Sequence, residues 1–210
     1  MLTVPKTISR SYFEKNQELY PKHAIACYPW AAEGSYRPES FVRVAHNGSA
    51  IFVRLWCREK EPRTAVTEWN GDVWTDSALE FFIEPVRGEG YFNFEMNSHP
   101  TMLAYFGVDT ADDRRVPVEW PHEAFALASR FWNRGGADWW EVSVTIPFDA
   151  LRKYVPSFRP VPGTVIRANA FKCGDSCAEP HYGCLFPIDA KKNPEPAFHL
   201  PQYFGEWKLL

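Results

Sequence analysis

Two segments with alternating side-chain character, Ser77–Glu84 and Tyr91–Asn97, constrain the fold more than any other feature of the chain. One face of the pair is apolar and consists of Leu79, Phe81, Ile83, Phe92, Phe94 and Met96. A period of two residues is typical of β-strands, because successive side chains of a strand point to opposite faces. The stretch between the segments, residues 85–90, contains proline and glycine and indicates a turn. The two segments are therefore predicted to form an antiparallel hairpin.

The other face of this hairpin brings two acidic residues together. If residue 84 pairs with residue 91, antiparallel pairing sets Glu80 opposite Glu95. Like charges directly opposite one another destabilise a sheet. We therefore expect a compensating group: a bound cation, a nearby arginine, a shared proton or the hydroxyl groups of a ligand. Arg167 is one candidate, because the alternation in residues 165–169 places it on one face with Asn169.

Strand signals recur along the rest of the chain. Strands are predicted over residues 41–46, 51–57, 102–106, 125–132, 139–146, 165–172 and 206–210. Asn47 and Gly48 indicate a tight turn between the first two of these. The one predicted helix is short, residues 149–154, with Asp149 as its N-cap. This pattern predicts an all-β fold, a two-sheet antiparallel β-sandwich of jelly-roll or immunoglobulin-like form with one short helix.

Composition and charge narrow the function. The net charge is −3 and no stretch of the sequence concentrates lysine and arginine, which argues against a nucleic-acid partner. No apolar run is long enough to cross a bilayer, so no membrane span is expected. Aromatic residues make up 16% of the chain and include nine Trp. Because an aromatic ring can pack on the C–H face of a sugar ring, this abundance favours a saccharide ligand.

Three blocks of the sequence resemble carbohydrate-binding module family 9 and the wider set of family-9-like, DOMON-type sandwich domains. The blocks are residues 73–83 followed by 91–97, residues 140–148, and residues 167–172 together with 198–205. The resemblance covers residues 25–210, which we predict to form one sandwich domain. Residues 1–24 are predicted to be an N-terminal extension that packs on this domain. The resemblance implies a β-sandwich that binds carbohydrate and holds calcium ions in structural sites.

The resemblance also implies which residues bind the sugar. In the family, two tryptophans clamp the sugar above polar residues. One of these tryptophans lies six residues before a ligand-binding glutamate, which matches Trp74 and Glu80. An asparagine at the end of the next strand matches Asn97, and Glu95 stands where family members can carry an arginine. That departure changes the charge of the predicted pocket.

The second aromatic clamp departs from the family pattern. Relatives commonly place a tryptophan in the segment before their final Phe-His-x-Pro, whereas residues 181–187 of this chain contain none. Tyr182 and Phe186 lie in this segment and are the candidates to replace it. Trp69, five residues before Trp74, is an alternative platform for the sugar ring.

Taken together, these features predict a non-catalytic domain that binds a saccharide by aromatic stacking and polar contacts. The expected binding residues are Trp74, Glu80, Glu95, Asn97, Tyr182, Arg167 and Asn169. A partner enzyme that degrades glycans would suit such a domain. The resemblance favours export, but residues 1–20 are polar and lack the hydrophobic region of a signal peptide, so the localisation stays open.

Two other functions stay open at this point. Glu80 and Glu95 could serve as the acid and the nucleophile of a glycoside hydrolase. Three thiols and an imidazole within twelve positions could hold zinc, and they belong to Cys173, Cys177, His181 and Cys184. A disulfide between Cys177 and Cys184 is the alternative for these thiols in an exported chain.

Calcium and haem are two further cofactors for which the sequence contains suitable residue types. Calcium is a candidate structural ion, with hard oxygen ligands available from Asp72, Asp76, Asp109, Asp112 and Asp113 in predicted loops. The alternative is that these aspartates are ordinary solvated loop residues, since Asp is common in turns. Some DOMON-type domains bind haem through Met and His, and the corresponding residue types here are Met96, Met102 and His199. Nothing in the sequence brings these three together, and His199 is expected to form a structural hydrogen bond before the last strand.

Overall fold

The computed structural model describes residues 1–108 and 114–210, which form two β-sheets packed face to face. The strands are β1 (Leu2–Val4), β2 (His23–Ile25), β3 (Ser40–His46), β4 (Ala50–Arg58), β5 (Ser77–Glu84), β6 (Tyr91–Asn97), β7 (Met102–Gly107), β8 (Val116–Pro117), β9 (Ala128–Arg134), β10 (Ala137–Pro147), β11 (Val165–Gly174), β12 (His181–Cys184) and β13 (Gly205–Leu209). The helices are α1 (Arg10–Lys15) and α2 (Phe148–Tyr154). The predicted all-β sandwich is confirmed.

The two sheets differ in size. The large sheet has eight strands in the order β1-β13-β11-β5-β6-β7-β8, with β12 also paired to β11. The small sheet has five strands in the order β2-β3-β4-β10-β9. Strand pairs are antiparallel except that β1 runs parallel to β13. The predicted boundary between residues 24 and 25 stays a prediction, although β1 is itself part of the large sheet.

The predicted hairpin of β5 and β6 has the predicted register. Glu80 lies opposite Glu95, with Phe81 opposite Phe94 on the other face. The turn between β3 and β4 is also as predicted, since Gly48 adopts a φ of 91° and the Asn47 side chain accepts hydrogen bonds from the Ser49 and Ala50 amides. Such a φ is accessible to glycine at little cost.

The other predicted strands and the predicted helix are present with shifted ends. The exceptions are one predicted strand, the N-cap of the predicted helix, and a second helix that was not predicted. Residues 125–132 were expected to form a strand, but Phe125 ends a 3-10 turn and β9 begins only at Ala128. Asp149 is in the first turn of α2, and the N-cap position is Pro147. Helix α1 was not predicted, although Ser9 is a side-chain cap for it, accepting a hydrogen bond from the Tyr12 amide. Four short strands, β1, β2, β8 and β12, were also not predicted, because each has only two to four residues.

The main core lies between the two sheets. It contains the apolar face of β5 and β6 together with inward-facing residues of β4, β10 and β13. Its largest fully buried side chains include Trp140, Trp207, Phe81 and Phe94. At about 25 cal/mol per Å² of apolar area removed from water, such large aromatics supply much of the burial free energy.

A second apolar cluster covers the outer face of the large sheet. Phe82, Tyr91 and Phe171 on the sheet pack beneath residues of the long segment 185–204, among them Ile188 and Phe198. Phe171 stacks on Phe198 with ring centroids 4.2 Å apart. An antiparallel sheet can leave one face to water. Here the covering segment buries that face, and the polar residues on it are buried as well.

A buried charge network closes one end of the space between the sheets. Lys172 is fully buried, and its Nζ donates to Ser77 Oγ at 2.9 Å and lies 3.4 Å from Glu59 Oε2. Trp140 Nε1 donates to the same carboxylate oxygen at 2.9 Å. Burial alone would raise the pKa of Glu59, but the Lys172 ammonium and the hydrogen bonds from Ser77 and Trp140 lower it below its ordinary value. His181 lies next to this network, and burial together with Lys172 lowers its pKa to about 4, so it is neutral at pH 7.

Glu59→Ala is expected to lower the free energy of unfolding by about 3–5 kcal/mol, because it leaves the Lys172 ammonium buried without its anion. Urea denaturation of both proteins measures the loss. Glu61→Ala is the matched control, since the Glu61 side chain is 83% exposed and pairs with an exposed lysine. The control is expected to change stability by less than about 0.5 kcal/mol. A loss below about 1 kcal/mol for Glu59→Ala would contradict the role given to this network.

Candidate functional site

A cleft of about 750 Å³ opens between the outer face of the large sheet and the covering segment. Its floor is formed by residues of β5, β6, β7 and β11: Glu80, Phe82, Asn93, Glu95, Leu103, Tyr105 and Cys173. Its walls are formed by Asn70, Asp72, Trp74, Arg115, Asp175, Tyr182 and the stretch from Pro196 to Leu200. The volume suits a small organic ligand.

The facing carboxyls of Glu80 and Glu95 are at the centre of the floor. Glu80 is 1% exposed and Glu95 is 3% exposed, so both have been taken out of water. Burial, and next the charge of Glu95, raise the pKa of Glu80 well above its ordinary value. Burial therefore favours the protonated form of Glu80, whose hydroxyl can donate while its carbonyl oxygen accepts. Among the described residues, Glu80 Oε1 has no hydrogen-bond partner, so a ligand could supply one.

A chain of polar contacts extends from Glu95 along the floor. Asn93 Nδ2 donates to Glu95 Oε1 at 2.8 Å, and Arg115 donates to Asn93 Oδ1. His199 lies on the other side, with its Nε2 3.9 Å from Glu95 Oε1 and its Nδ1 2.9 Å from the Tyr91 hydroxyl. Burial and the nearby Arg115 lower the pKa of His199 to about 4, so the imidazole is neutral at pH 7. It offers a hydrogen bond without adding charge to the cleft.

Trp74 is the exposed aromatic residue of the cleft. It lies in the 3-10 turn Val73–Thr75, just before β5, and 43% of it is exposed. The turn is held against β11, because Cys173 Sγ donates to the Trp74 carbonyl at 3.3 Å and the Ser176 amide donates to the Thr75 carbonyl at 3.2 Å. The indole is therefore an exposed apolar surface on a fixed backbone.

Tyr182 supplies a second aromatic side chain. It lies on β12 and donates from its hydroxyl to Asp175 Oδ1 at 2.7 Å. Trp30 and Phe198 pack against it edge to face, with centroids 6.4 and 6.3 Å away. These contacts fix its ring in the wall of the cleft.

The structure brings together four of the predicted binding residues, Trp74, Glu80, Glu95 and Tyr182, and excludes the other three from the cleft. The Asn97 amide is fully buried and donates to the Val66 carbonyl and to Asp76. Asn169 bonds the backbone of Phe186 through both its amide nitrogen and its carbonyl oxygen. Both side chains therefore hold loops in place and do not face a ligand.

Arg167 was expected as the partner of Glu80 and Glu95, and this expectation is wrong. It pairs with Glu84, with Nη1 2.5 Å from Oε2, and donates to the Pro201 and Phe204 carbonyls. The cation of the cleft is Arg115, which follows β7 in an irregular stretch and is 8% exposed. No periodic signal in the sequence could have placed it there.

The other aromatic candidates also lie away from the cleft. Phe186 packs edge to face on Trp207, with centroids 6.2 Å apart, so Tyr182 is the candidate that lines the wall. Trp69 stacks on His122 at 3.9 Å and contacts the main core, so it is not the platform.

The cysteine and histidine cluster does not form a zinc site. Cys173 donates to the Trp74 carbonyl, Cys184 contacts the Cys27 carbonyl, and His181 Nδ1 is 2.7 Å from the Glu179 carbonyl. All five cysteines are free thiols, so the alternative disulfide is absent as well. Within the described residues no group of three or more His, Cys, Asp or Glu side chains is placed to hold a metal ion.

Two of the five predicted calcium ligands, Asp72 and Asp76, lie within the described residues. Asp76 is fully buried and accepts from the Ala65 and Val66 amides, from Asn97 and from Arg63, which uses its oxygens within the protein. Asp72 is exposed at the cleft wall. The other three candidates, Asp109, Asp112 and Asp113, lie outside the described residues. Calcium as a structural ion therefore stays a prediction.

The haem ligands are also separated. Met96 and Met102 are fully buried in the main core, on the opposite face of the large sheet from His199. The expected hydrogen bond of His199 is present and joins it to Tyr91.

Comparison with known proteins assigns the chain to a family. The chain matches carbohydrate-binding family 9 over residues 13–209. This chain belongs to carbohydrate-binding family 9. The family match includes the strands that form the cleft floor and the segment that covers it. No curated protein matches the chain.

Solved structures agree with this family-9 assignment. A Bacteroides uniformis protein whose proposed role is carbohydrate binding superposes with a TM-score of 0.81 at 26% identity, covering 100% of this chain and 98% of its own. A family 9 module of Caldicellulosiruptor kristjanssonii in complex with glucose superposes at 0.59 with 9% identity, covering 100% and 94%. The same kind of module in complex with cellotriose gives 0.56 and 10%, covering 100% and 89%. At such identities the last two comparisons show a shared fold.

The raised pKa of Glu80 predicts a pH-dependent stability. The folded chain keeps a proton on Glu80 that the unfolded chain releases above its ordinary pKa, so unfolding is increasingly favoured as the pH rises. Glu80→Gln keeps a neutral group of the same shape and removes this proton. The stability of wild type relative to Glu80→Gln is expected to fall as the pH rises from about 5, just above the ordinary pKa of a glutamate in the unfolded chain.

Urea denaturation of the two proteins across this pH range measures the difference. Glu206→Gln is the control, because it makes the same substitution at an exposed position on β13, outside the cleft. A pH-independent difference between wild type and Glu80→Gln would show that Glu80 is ionised in the folded chain.

Proposed function

We propose that this chain is a non-catalytic carbohydrate-binding domain that holds a neutral saccharide in the cleft beside Trp74. The observation that carries the proposal is the position of an exposed indole above buried carboxyl and amide groups. A sugar has an apolar C–H face and hydroxyls at its edge, so it needs both surfaces at once. The two Caldicellulosiruptor kristjanssonii modules of the same fold hold glucose and cellotriose.

Each part of the cleft has a role in this proposal. Trp74 stacks on one face of the sugar ring, and Tyr182 closes the site from its own wall. A protonated Glu80 both donates and accepts, as a hydroxyl group requires. Glu95, held by Asn93, accepts from a second hydroxyl. Because these groups are fixed by the sheet and by their neighbours, little conformational entropy is lost on binding.

The two carboxyls are better placed for hydrogen bonding than for hydrolysis. Retaining glycosidases place their two carboxyls on either side of the scissile bond, about 5 Å apart. Glu80 and Glu95 are cross-strand neighbours on one face of one sheet, so both address the same side of a bound sugar. Since such a domain changes no bond in its ligand, we infer that it serves a separate glycan-degrading enzyme by holding the substrate.

Trp74→Ala is expected to weaken binding of glucose and cellotriose by about tenfold or more, because it removes the apolar surface on which the ring stacks. Isothermal titration calorimetry measures the affinity, and a thermal melt checks that the variant is folded. Phe131→Ala is the matched control, since Phe131 is an aromatic residue 58% exposed on β9 and outside the cleft. Equal binding by Trp74→Ala and wild type would refute the proposed platform.

The chain is expected to leave aryl glycosides unhydrolysed, because both carboxyls lie on one side of the ligand. Release of nitrophenol from a panel of nitrophenyl glycosides measures hydrolysis. Turnover that is lost in both Glu80→Gln and Glu95→Gln would overturn the non-catalytic proposal. Turnover that both variants keep would point to a contaminating enzyme and leave the proposal standing.

A further inference from the structure

The outer face of the small sheet has a groove of about 860 Å³ that the proposed saccharide site does not use. Among the described residues that line it, six are cationic: Lys22, Arg43, Arg54, Arg58, Arg130 and Arg134. Four aromatic residues lie between them: Phe41, Trp56, Trp132 and Trp139. Glu39 is the acidic residue of the lining. The groove therefore carries a strong local excess of positive charge, although the net charge of the chain is −3.

The fold assembles this surface from residues that are far apart in the sequence. Arg43 is on β3, Arg54 and Arg58 are on β4, and Arg130 and Arg134 are on β9. For this reason the sequence contains no stretch in which arginine and lysine are concentrated. The cations on β3 and β4 are on inner strands, so protection of a sheet edge does not explain them.

One pair in the groove is electrostatically unfavourable as it stands. Arg43 lies directly opposite Arg54 in the β3–β4 ladder, and like charges in that position destabilise a sheet. Glu141 offsets part of the charge, since it pairs with Arg54 and with Arg130 at 3.2 Å. One carboxylate between two arginines leaves the cations of the groove in excess, which an anionic ligand would relieve.

The aromatic residues hold the cations in position. Lys22 lies over Phe41 at 4.1 Å, Arg43 and Arg54 lie over Trp56 at 5.2 and 5.0 Å, and Arg130 lies over Trp132 at 5.3 Å. Trp132 also stacks on Trp139, with centroids 6.1 Å apart. Such cation–π contacts restrain flexible side chains, and the face of a guanidinium that packs on a ring leaves its edge to hydrogen bonding, which Glu141 uses on Arg54 and Arg130 and an anionic ligand could use on the exposed arginines.

We propose that this groove binds an acidic polysaccharide, with the exposed arginines pairing to its carboxylates. Planar guanidinium groups match carboxylates with two parallel hydrogen bonds. Each aromatic ring of the groove already packs on a cation or on another ring. Single-stranded nucleic acids bind by stacking their bases on uncovered aromatic rings, so the groove favours a glycan over a single-stranded nucleic acid. The inference rests on membership of the family and on this surface, and it is independent of the Trp74 cleft.

The test compares polygalacturonate with the same polymer after methyl esterification, which removes its charge. Wild type is expected to bind polygalacturonate, to bind the ester at least about tenfold more weakly, and to lose affinity as salt is added. The double variant Arg130→Gln and Arg134→Gln is expected to bind polygalacturonate at least about tenfold more weakly, because it removes charge-assisted hydrogen bonds. Both residues are exposed on β9, so folding is expected to survive, and a thermal melt checks it.

The double variant Arg87→Gln and Arg152→Gln is the matched control, because it removes the same charge outside the groove, from exposed Arg87 and partly exposed Arg152. It is expected to bind as wild type does. Trp74→Ala is expected to keep polygalacturonate binding, which separates this proposal from the one made for the cleft. Failure to bind polygalacturonate, equal binding of the ester, or equal losses in the two double variants would overturn the proposal. Preference for a single-stranded oligonucleotide of equal charge would overturn it in favour of a nucleic acid.

Discussion

The candidate cleft depends on the covering of the large sheet's outer face by residues 185–204. In water, two glutamates that face each other across a hairpin would both ionise and be hydrated. In the folded chain both are buried, so a charge on Glu95 raises the cost of a charge on Glu80. The same sequence of alternating residues would give an ordinary solvated surface without this segment. With it, the floor carries buried polar groups that can exchange hydrogen bonds with a ligand.

This dependence explains how much of the site could be predicted. The register that pairs Glu80 with Glu95 was assumed from the pairing of residue 84 with residue 91, and alternation supports it only in that a slip of one residue would expose the apolar face. Asn169 was selected by its residue type and face, but its amide is used by a loop whose conformation no local pattern encodes. Arg115 and His199 come from irregular segments, so periodicity could not bring them to the cleft. The small-sheet groove was missed for a related reason, since antiparallel neighbours such as Arg54 and Arg130 are distant in sequence.

The two outer faces of the sandwich therefore differ in kind. The face of the large sheet is enclosed, and its carboxyls are kept from carrying two negative charges, which suits uncharged hydroxyl groups. The face of the small sheet is an open groove in which cations outnumber anions, and its aromatic residues serve to orient the cations. The exposed ring of Trp74 leaves apolar surface on which a sugar ring can stack. The ring of Trp56 lies beneath a guanidinium, so at that position it is the guanidinium that contacts a ligand.

Strand β11 connects the buried charge network to the cleft. Lys172 points into the space between the sheets and bonds Ser77, whereas the next residue, Cys173, points outward and donates to the Trp74 carbonyl. The position of the Trp74 backbone is thus tied to the strand that the Lys172–Glu59 pair anchors from below. A buried ion pair is weak support for stability by itself, since desolvation offsets most of its attraction. Its value here lies in fixing the end of β11, because a platform that is already in place gives up less entropy when a sugar stacks on it.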